Sequence, residues 1–185
     1  YNNIIENKNQ NFEAIPLYTL SGTITGADGV AVNLYGDATG TQRVNNGGKY
    51  AFIEKKGGTF TVTPFKEGYT FSPTNIEYKN LARNQQQDFQ GKRNTYTIFG
   101  TVTGADNVTV TLSGDASEVQ TINNGESYSF SVESDRSYTV TPTKSGYLFS
   151  PVNYVFSNII GNKTQNFIAR PPYTISGTIL GVDGV

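Results

Sequence analysis

The chain has 185 residues, a formal net charge of −1, and no His, Cys, Met or Trp. A near-neutral chain has no electrostatic draw toward nucleic acid or an anionic membrane, and without His or Cys the common nucleophile–base pairs cannot be built. No apolar run approaches the ~18 residues of a membrane-spanning helix.

The sequence is dominated by a repeat. KEGYTFSP at 66–73 returns 78 residues later as KSGYLFSP at 144–151. The same shift lays YTLSGTITGADGV from Tyr18 on YTIFGTVTGADNV from Tyr96, and Tyr50 and Phe52 on Tyr128 and Phe130. NNIIENKNQNF at 2–12 matches SNIIGNKTQNF at 157–167, and YTISGTILGVDGV opens a further copy at Tyr173. A fixed period of this size marks stacked structural units. The expected organisation is the C-terminal strand of a preceding repeat (1–17), two complete repeats (18–95 and 96–172), and the first strand of a following one (173–185). Broken ends and a missing Met suggest a window of a longer array. Covalent continuation fits that pattern better than strand donation between subunits, because head and tail together lack the middle strands of a unit.

In chain order, Tyr18, Leu20 and Ile24 alternate with Thr19, Ser21 and Thr23, the period of a half-buried strand. A turn at Gly26-Ala27-Asp28-Gly29 leads to Val30, Val32 and Leu34, and a short strand carries Val44. After Asn46-Gly47-Gly48 come Tyr50 and Phe52, then Phe60 and Val62, Ile76 and Tyr78, and finally Phe89. About seven short strands per unit, with no helical period, predict an all-β protein of tandem seven-stranded Ig-like or prealbumin-like sandwiches of about 78 residues. In the recurring motif, Gly68 and Gly146 are expected at backbone angles other residues avoid. Tyr69 with Phe71, and Tyr147 with Phe149, are expected to fill or cap the core with the Tyr hydroxyl bonded to backbone. Pro73 and Pro151 end ladder pairing because they lack an N–H. Short linkers, GKRNT at 91–95 and ARPP at 169–172, predict a string of sandwiches advancing ~35–45 Å per unit.

The run SGTITGADGVAVNL, NNGGKYAF and GGTFTVTPFKEGYTFSP resembles the carboxypeptidase-regulatory-like, or transthyretin-like, β-sandwich repeats of bacterial secreted and surface proteins. The resemblance implies an extracellular or cell-surface module: a spacer, stalk, adhesin segment or carrier for an enzyme. Its partners would be neighbouring copies of the repeat and a cell-surface glycan or protein, with no cofactor. The related collagen-adhesin B-type repeats carry a Lys–Asn isopeptide bond. YTLSGTI and YTIFGTV lack the Lys such a bond needs, so none is expected. Lys66 and Lys144 recur beside a turn and read as solvated side chains.

Candidate chemistry is thin. The shared turn carboxylates Asp28, Asp37, Asp106 and Asp115 are weak ligands for calcium, with Asp28 and Asp37 neighbours across a strand pair at best, and they show no facing acid pair for glycosidase chemistry. Aromatics not shared by the two units are the expected ligand-facing ones. These are Tyr35 (Ser113 in the second unit), Phe65 (Thr143) and Tyr154 (Ile76). Two N-x-T triplets, at Asn107 and Asn162, are of a kind that arises by chance.

Overall fold

A computed structural model describes residues 13–178 together with 180 and 181. They form strands, turns and irregular segments without any helix, and the chain divides into two units, Tyr1–Lys92 and Arg93–Val185.

The first unit contains β1 (Leu17–Thr25), β2 (Val30–Gly36), β3 (Gly40–Val44), β4 (Lys49–Lys55), β5 (Phe60–Phe65), β6 (Tyr69–Ser72), β7 (Ile76–Tyr78), β8 (Gln85–Gln86) and β9 (Phe89–Arg93). One sheet has the order β4-β1-β9-β6, with β8 also on β1; the other is β3-β2-β5-β7. The core lies between them. Leu20, Ile24, Phe52 and Phe89 come from the first sheet, and Val30, Val32, Leu34, Phe60 and Val62 from the second. These are the period-two apolar positions, so each strand turns one face inward.

The second unit repeats this order with β10 (Thr95–Thr103), β11 (Val108–Gly114), β12 (Glu118–Ile122), β13 (Ser127–Glu133), β14 (Tyr138–Thr143), β15 (Leu148–Ser150), β16 (Tyr154–Phe156), β17 (Lys163–Thr164) and β18 (Phe167–Arg170). The register repeats as well. Leu20 opposite Phe52 becomes Ile98 opposite Phe130, and Leu34 opposite Val62 becomes Leu112 opposite Val140.

Each unit has nine strands, not seven. The motif Tyr-Thr-Phe-Ser forms a short edge strand of its own, β6, before Pro73. The closing run QQQDFQ breaks into β8 and β9, both parallel to β1. It breaks because the Gln87 carbonyl leaves the ladder to accept the Tyr50 hydroxyl at 2.7 Å. Asparagine and aspartate side chains supply the acceptors the broken strand cannot. Thr19 N–H donates to Asn84 Oδ1 at 3.0 Å and Thr23 N–H to Asp88 Oδ1 at 2.8 Å. Asn162 and Asn166 do the same for Thr97 and Thr101, both at 2.9 Å.

Residues 173–178 form no strand, and Ile175 is 99% exposed where its counterparts Leu20 and Ile98 are fully buried. In the two units the equivalent sequence becomes a strand with β4 and β9, or β13 and β18, beside it. Most of the expected preceding-repeat segment, 1–12, and residues 182–185 of the following one lie outside the described residues.

Candidate functional site

The four recurring aspartates hold the units' own loops. Asp28 Oδ1 accepts the Asn46 N–H at 3.0 Å, while Asn46 and Asn45 accept from Gly26 and Gly29 at 2.8 and 2.9 Å. The two turns at that end of the sandwich are thereby tied together. Asp106, Asn124 and Asn123 repeat the knot with Asn124, Gly104 and Asn107 as donors. Asp37 Oδ2 accepts the Thr59 N–H at 2.8 Å, and Asp115 Oδ2 the Ser137 N–H at 2.8 Å. Asp115 also pairs with Arg136 at 3.2 Å. Asp28 and Asp37 precede and follow the seven-residue strand β2, so they sit at opposite ends of the unit and not across a strand pair. Among the described residues no group of three potential metal ligands comes together. Asn162 of the second N-x-T triplet is engaged with Thr97, and Asn107 sits in a left-handed turn conformation at φ 50°.

The most constrained polar groups are in the cores. Tyr50 and Tyr128 are buried, and their hydroxyls donate to the carbonyls of Gln87 and Gln165 at 2.7 and 2.6 Å. Burial raises both hydroxyl pKa values well above the usual tyrosine range, with Tyr78 and Asp88 adding to the effect at Tyr50. The consequence for stability has a definite sign. Below pH ~10 both states keep their phenolic protons. Above it the unfolded tyrosines ionise while the folded ones resist, so the unfolded state gains. Each tyrosine is expected to withdraw about 1.4 kcal/mol per pH unit beyond pH ~10. Urea midpoints between pH 8 and pH 11.5 should stay flat at first and then fall; a flat profile throughout would contradict the burial.

In the recurring motif one ring fills the core and the others cap it. Phe71 is buried, but Phe149, Tyr69 and Tyr147 are only partly so, packing on the rim of their cores. The short edge strand explains this, since among the described residues no further strand covers its outer side. Lys66 and Lys144 are not simply solvated. Their ammonium groups lie 4.7 and 5.6 Å from the ring centroids of Tyr69 and Tyr147, a cation–π geometry. Gly68 and Gly146 hold φ of 76° and 74°, which turns the chain between lysine and tyrosine. A cleft lies beside this motif in both units, about 210 Å³ in the first and about 440 Å³ in the second.

Tyr35 and Phe65 are 52% and 61% exposed. Both point away from the core on the β3-β2-β5-β7 sheet, because Leu34 and Pro64 beside them point in. Tyr35 opposes Thr61 and Phe65 opposes Ala31, which sets the two rings on neighbouring strands roughly 13 Å apart along the strand direction. Between them lie Asn33, Thr63 and Thr41, whose hydroxyl donates to Asn33 Oδ1 at 2.8 Å. The face is a polar strip ending in two rings. Tyr154 is 44% exposed but stands on the edge strand β16 of the second unit. It opposes inward-pointing Val140 and packs beside Phe156, ring centroids 4.7 Å apart. Phe99, exposed on the outer side of β10, was not singled out from sequence. The signal was present, since it stands where the first unit has Ser21.

No family model matches the chain. Over 148 residues it is 35% identical to the chitinase ChiA of Flavobacterium johnsoniae, covering 74% of this chain and 9% of that protein. The chain thus spans under a tenth of its curated relative. Among solved structures, the Bacillus anthracis TIE protein matches with a TM-score of 0.60 at 11% identity, over 82% of this chain and 33% of that one. At such identity the likeness is one of fold. GBS52, the minor pilin of Streptococcus agalactiae, aligns at a TM-score of 0.40 and 11% identity, over 88% of this chain and all of that one.

Proposed function

We propose that this chain is a non-catalytic segment of tandem β-sandwich repeats in an extracellular or cell-surface protein, serving as a stalk or spacer. The observation that carries the reading is how the recurring polar residues are used. Asp28, Asp37, Tyr50 and their counterparts Asp106, Asp115 and Tyr128 all bond to backbone within their own unit. What the repeat preserves is its own architecture. The likeness to a small part of a chitinase fits a module carried by a larger secreted enzyme, and the motifs that resemble carboxypeptidase-regulatory-like repeats fit the same role.

A second reading is favoured by one specific feature, the outer face bearing Tyr35 and Phe65. Two rings flanking a strip of Asn and Thr suit stacking and hydrogen bonding along a glycan, and the chitinase relative makes chitin the first polymer to try. Retention on chitin beads separates the readings. A spacer passes through like a neutral control protein. A glycan-binding module is retained, and Tyr35→Ala with Phe65→Ala abolishes retention with an unchanged melting temperature, since both side chains lie outside the core.

A further inference from the structure

The two units share their strands and one closed edge but differ at the other edge. On one side of each sandwich an inward-facing glutamine closes the seam between the sheets. Gln42 of β3 donates from Nε2 to the Ala51 carbonyl at 2.6 Å and accepts the Ala51 N–H on Oε1 at 3.1 Å. Gln120 does the same for Ser129 at 2.7 and 3.0 Å. The amide stands where a neighbouring strand's peptide group would, so the centre of the exposed β4 or β13 edge is already paired.

The opposite side of the second unit is open. Among the described residues β15 pairs with β18 alone, and its other edge faces outward. Here the units diverge. Glu67, Thr70, Thr74 and Glu77 of the first unit are replaced at the same repeat positions by Ser145, Leu148, Val152 and Val155. The last three are 66%, 72% and 58% exposed, so the core does not require them, and neighbouring exposed apolar side chains such as Leu148 and Val152 mark a contact surface. Leu148 and Val152 join Tyr147 and Phe149 in lining the cleft of about 440 Å³. Lys144 also lines it. No carboxylate does, and Lys144 makes no ion pair among the described residues.

The geometry points to this edge of the second unit as a docking site for an extended polypeptide segment. The segment adds as a strand to β15, seats an apolar side chain against Leu148 and Val152, and sets a carboxylate on Lys144. A polypeptide fits better than a sugar. The walls are mainly apolar with a single cation, whereas a glycan needs several convergent polar groups, and a free strand edge offers ladder bonds that only a peptide can complete. The spacer reading neither requires nor forbids this site.

The test uses the whole chain and fluorescein-labelled capped octapeptides, one alternating Val with Glu and one alternating Val with Lys, with an oligogalacturonate as the acidic sugar. Anisotropy and backbone amide shifts are recorded for each. The expected result is saturable binding of the Val–Glu peptide, about ten-fold or more tighter than the Val–Lys peptide, with shifts confined to residues 144–155. Lys144→Ala should erase the preference between the peptides. Installing the first unit's residues in the cleft, Leu148→Thr and Val152→Thr, should weaken binding about ten-fold or more at an unchanged melting temperature. Equal binding of both peptides, no binding, indifference to the double change, or oligogalacturonate moving the same amides would each overturn the proposal.

Discussion

Replacing Gly100 with alanine is expected to unfold the second unit while the first keeps its own transition. Gly100 lies on β10 opposite Tyr128, and a Cβ there would overlap the carbonyl oxygen of Gln165. That oxygen is the acceptor of the Tyr128 hydroxyl. Backbone cannot step aside without breaking either the hydroxyl bond or the parallel pairing of β10 with β17 and β18. Gly22, Tyr50 and Gln87 form the same arrangement in the first unit. Overlap with fixed backbone in a strand interior belongs with the severe classes of substitution, at about 4 kcal/mol or more. Calorimetry of Gly100→Ala should show one of two transitions lost. Two transitions with less than ~1 kcal/mol of change would mean the strands separate easily at this point.

The second large effect is expected at Tyr128. Its ring is fully buried, with centroids 5.6 Å from Phe130 and 6.2 Å from Phe167. Tyr128→Ala removes the ring and its packing, at roughly 3–5 kcal/mol. Tyr128→Phe keeps the ring but removes the donor to the partly buried Gln165 carbonyl, at about 1 kcal/mol. Urea unfolding of both variants gives the difference. Equal losses would place the whole effect in the hydroxyl, and no loss for Phe would show that the carbonyl finds another donor. Tyr147, on the rim, should cost about half as much as Tyr128 when cut to alanine, because only part of its ring leaves water.

Those two tyrosines show what the sequence reveals and what it hides. Tyr50-Ala-Phe52 and Tyr69-Thr-Phe71 have the same pattern, and periodicity treats them alike. Strand position separates them. Strand β4 is paired with β1 along all seven of its residues, and its tyrosine reaches a carbonyl 37 residues away. Strand β6 is a four-residue edge, and its tyrosine stays on the rim under a lysine. A hydroxyl–backbone bond of the kind expected for the GYTFSP motif is found on the other Tyr-x-Phe pair, where it fixes the tyrosine in the core. Alternation was enough to place Leu20, Val32, Leu34, Phe60 and Phe89 inside, since that depends on neighbours in sequence.

Contacts between distant segments were not legible in this way. Nothing local marks Gly22 as the glycine that must lie against residue 87. Nor does it mark Gln42 as the side chain that closes a sheet edge. Comparison of the two repeats was the more informative source. It picked out Tyr35 and Phe65, which share one outer face. It also contained Phe99, Leu148, Val152 and Val155, which become visible once the core is known and the remaining differences stand alone. Tyr154 shows the limit of that comparison. It is 44% exposed, yet at a sheet edge its ring leans on Phe156 and does not stand on an open outer face.

The most direct test of the account is to pull a single chain from its two ends between marker domains of known unfolding force. Two self-contained units built on one register should give two unfolding events of similar force. Each should release the length of one unit, about 230 Å, from ~75 residues at ~3.6 Å each less the folded span. A single event releasing the combined length, or gradual extension without a force peak, would contradict the reading of this chain as separate sandwich repeats that hold a distance.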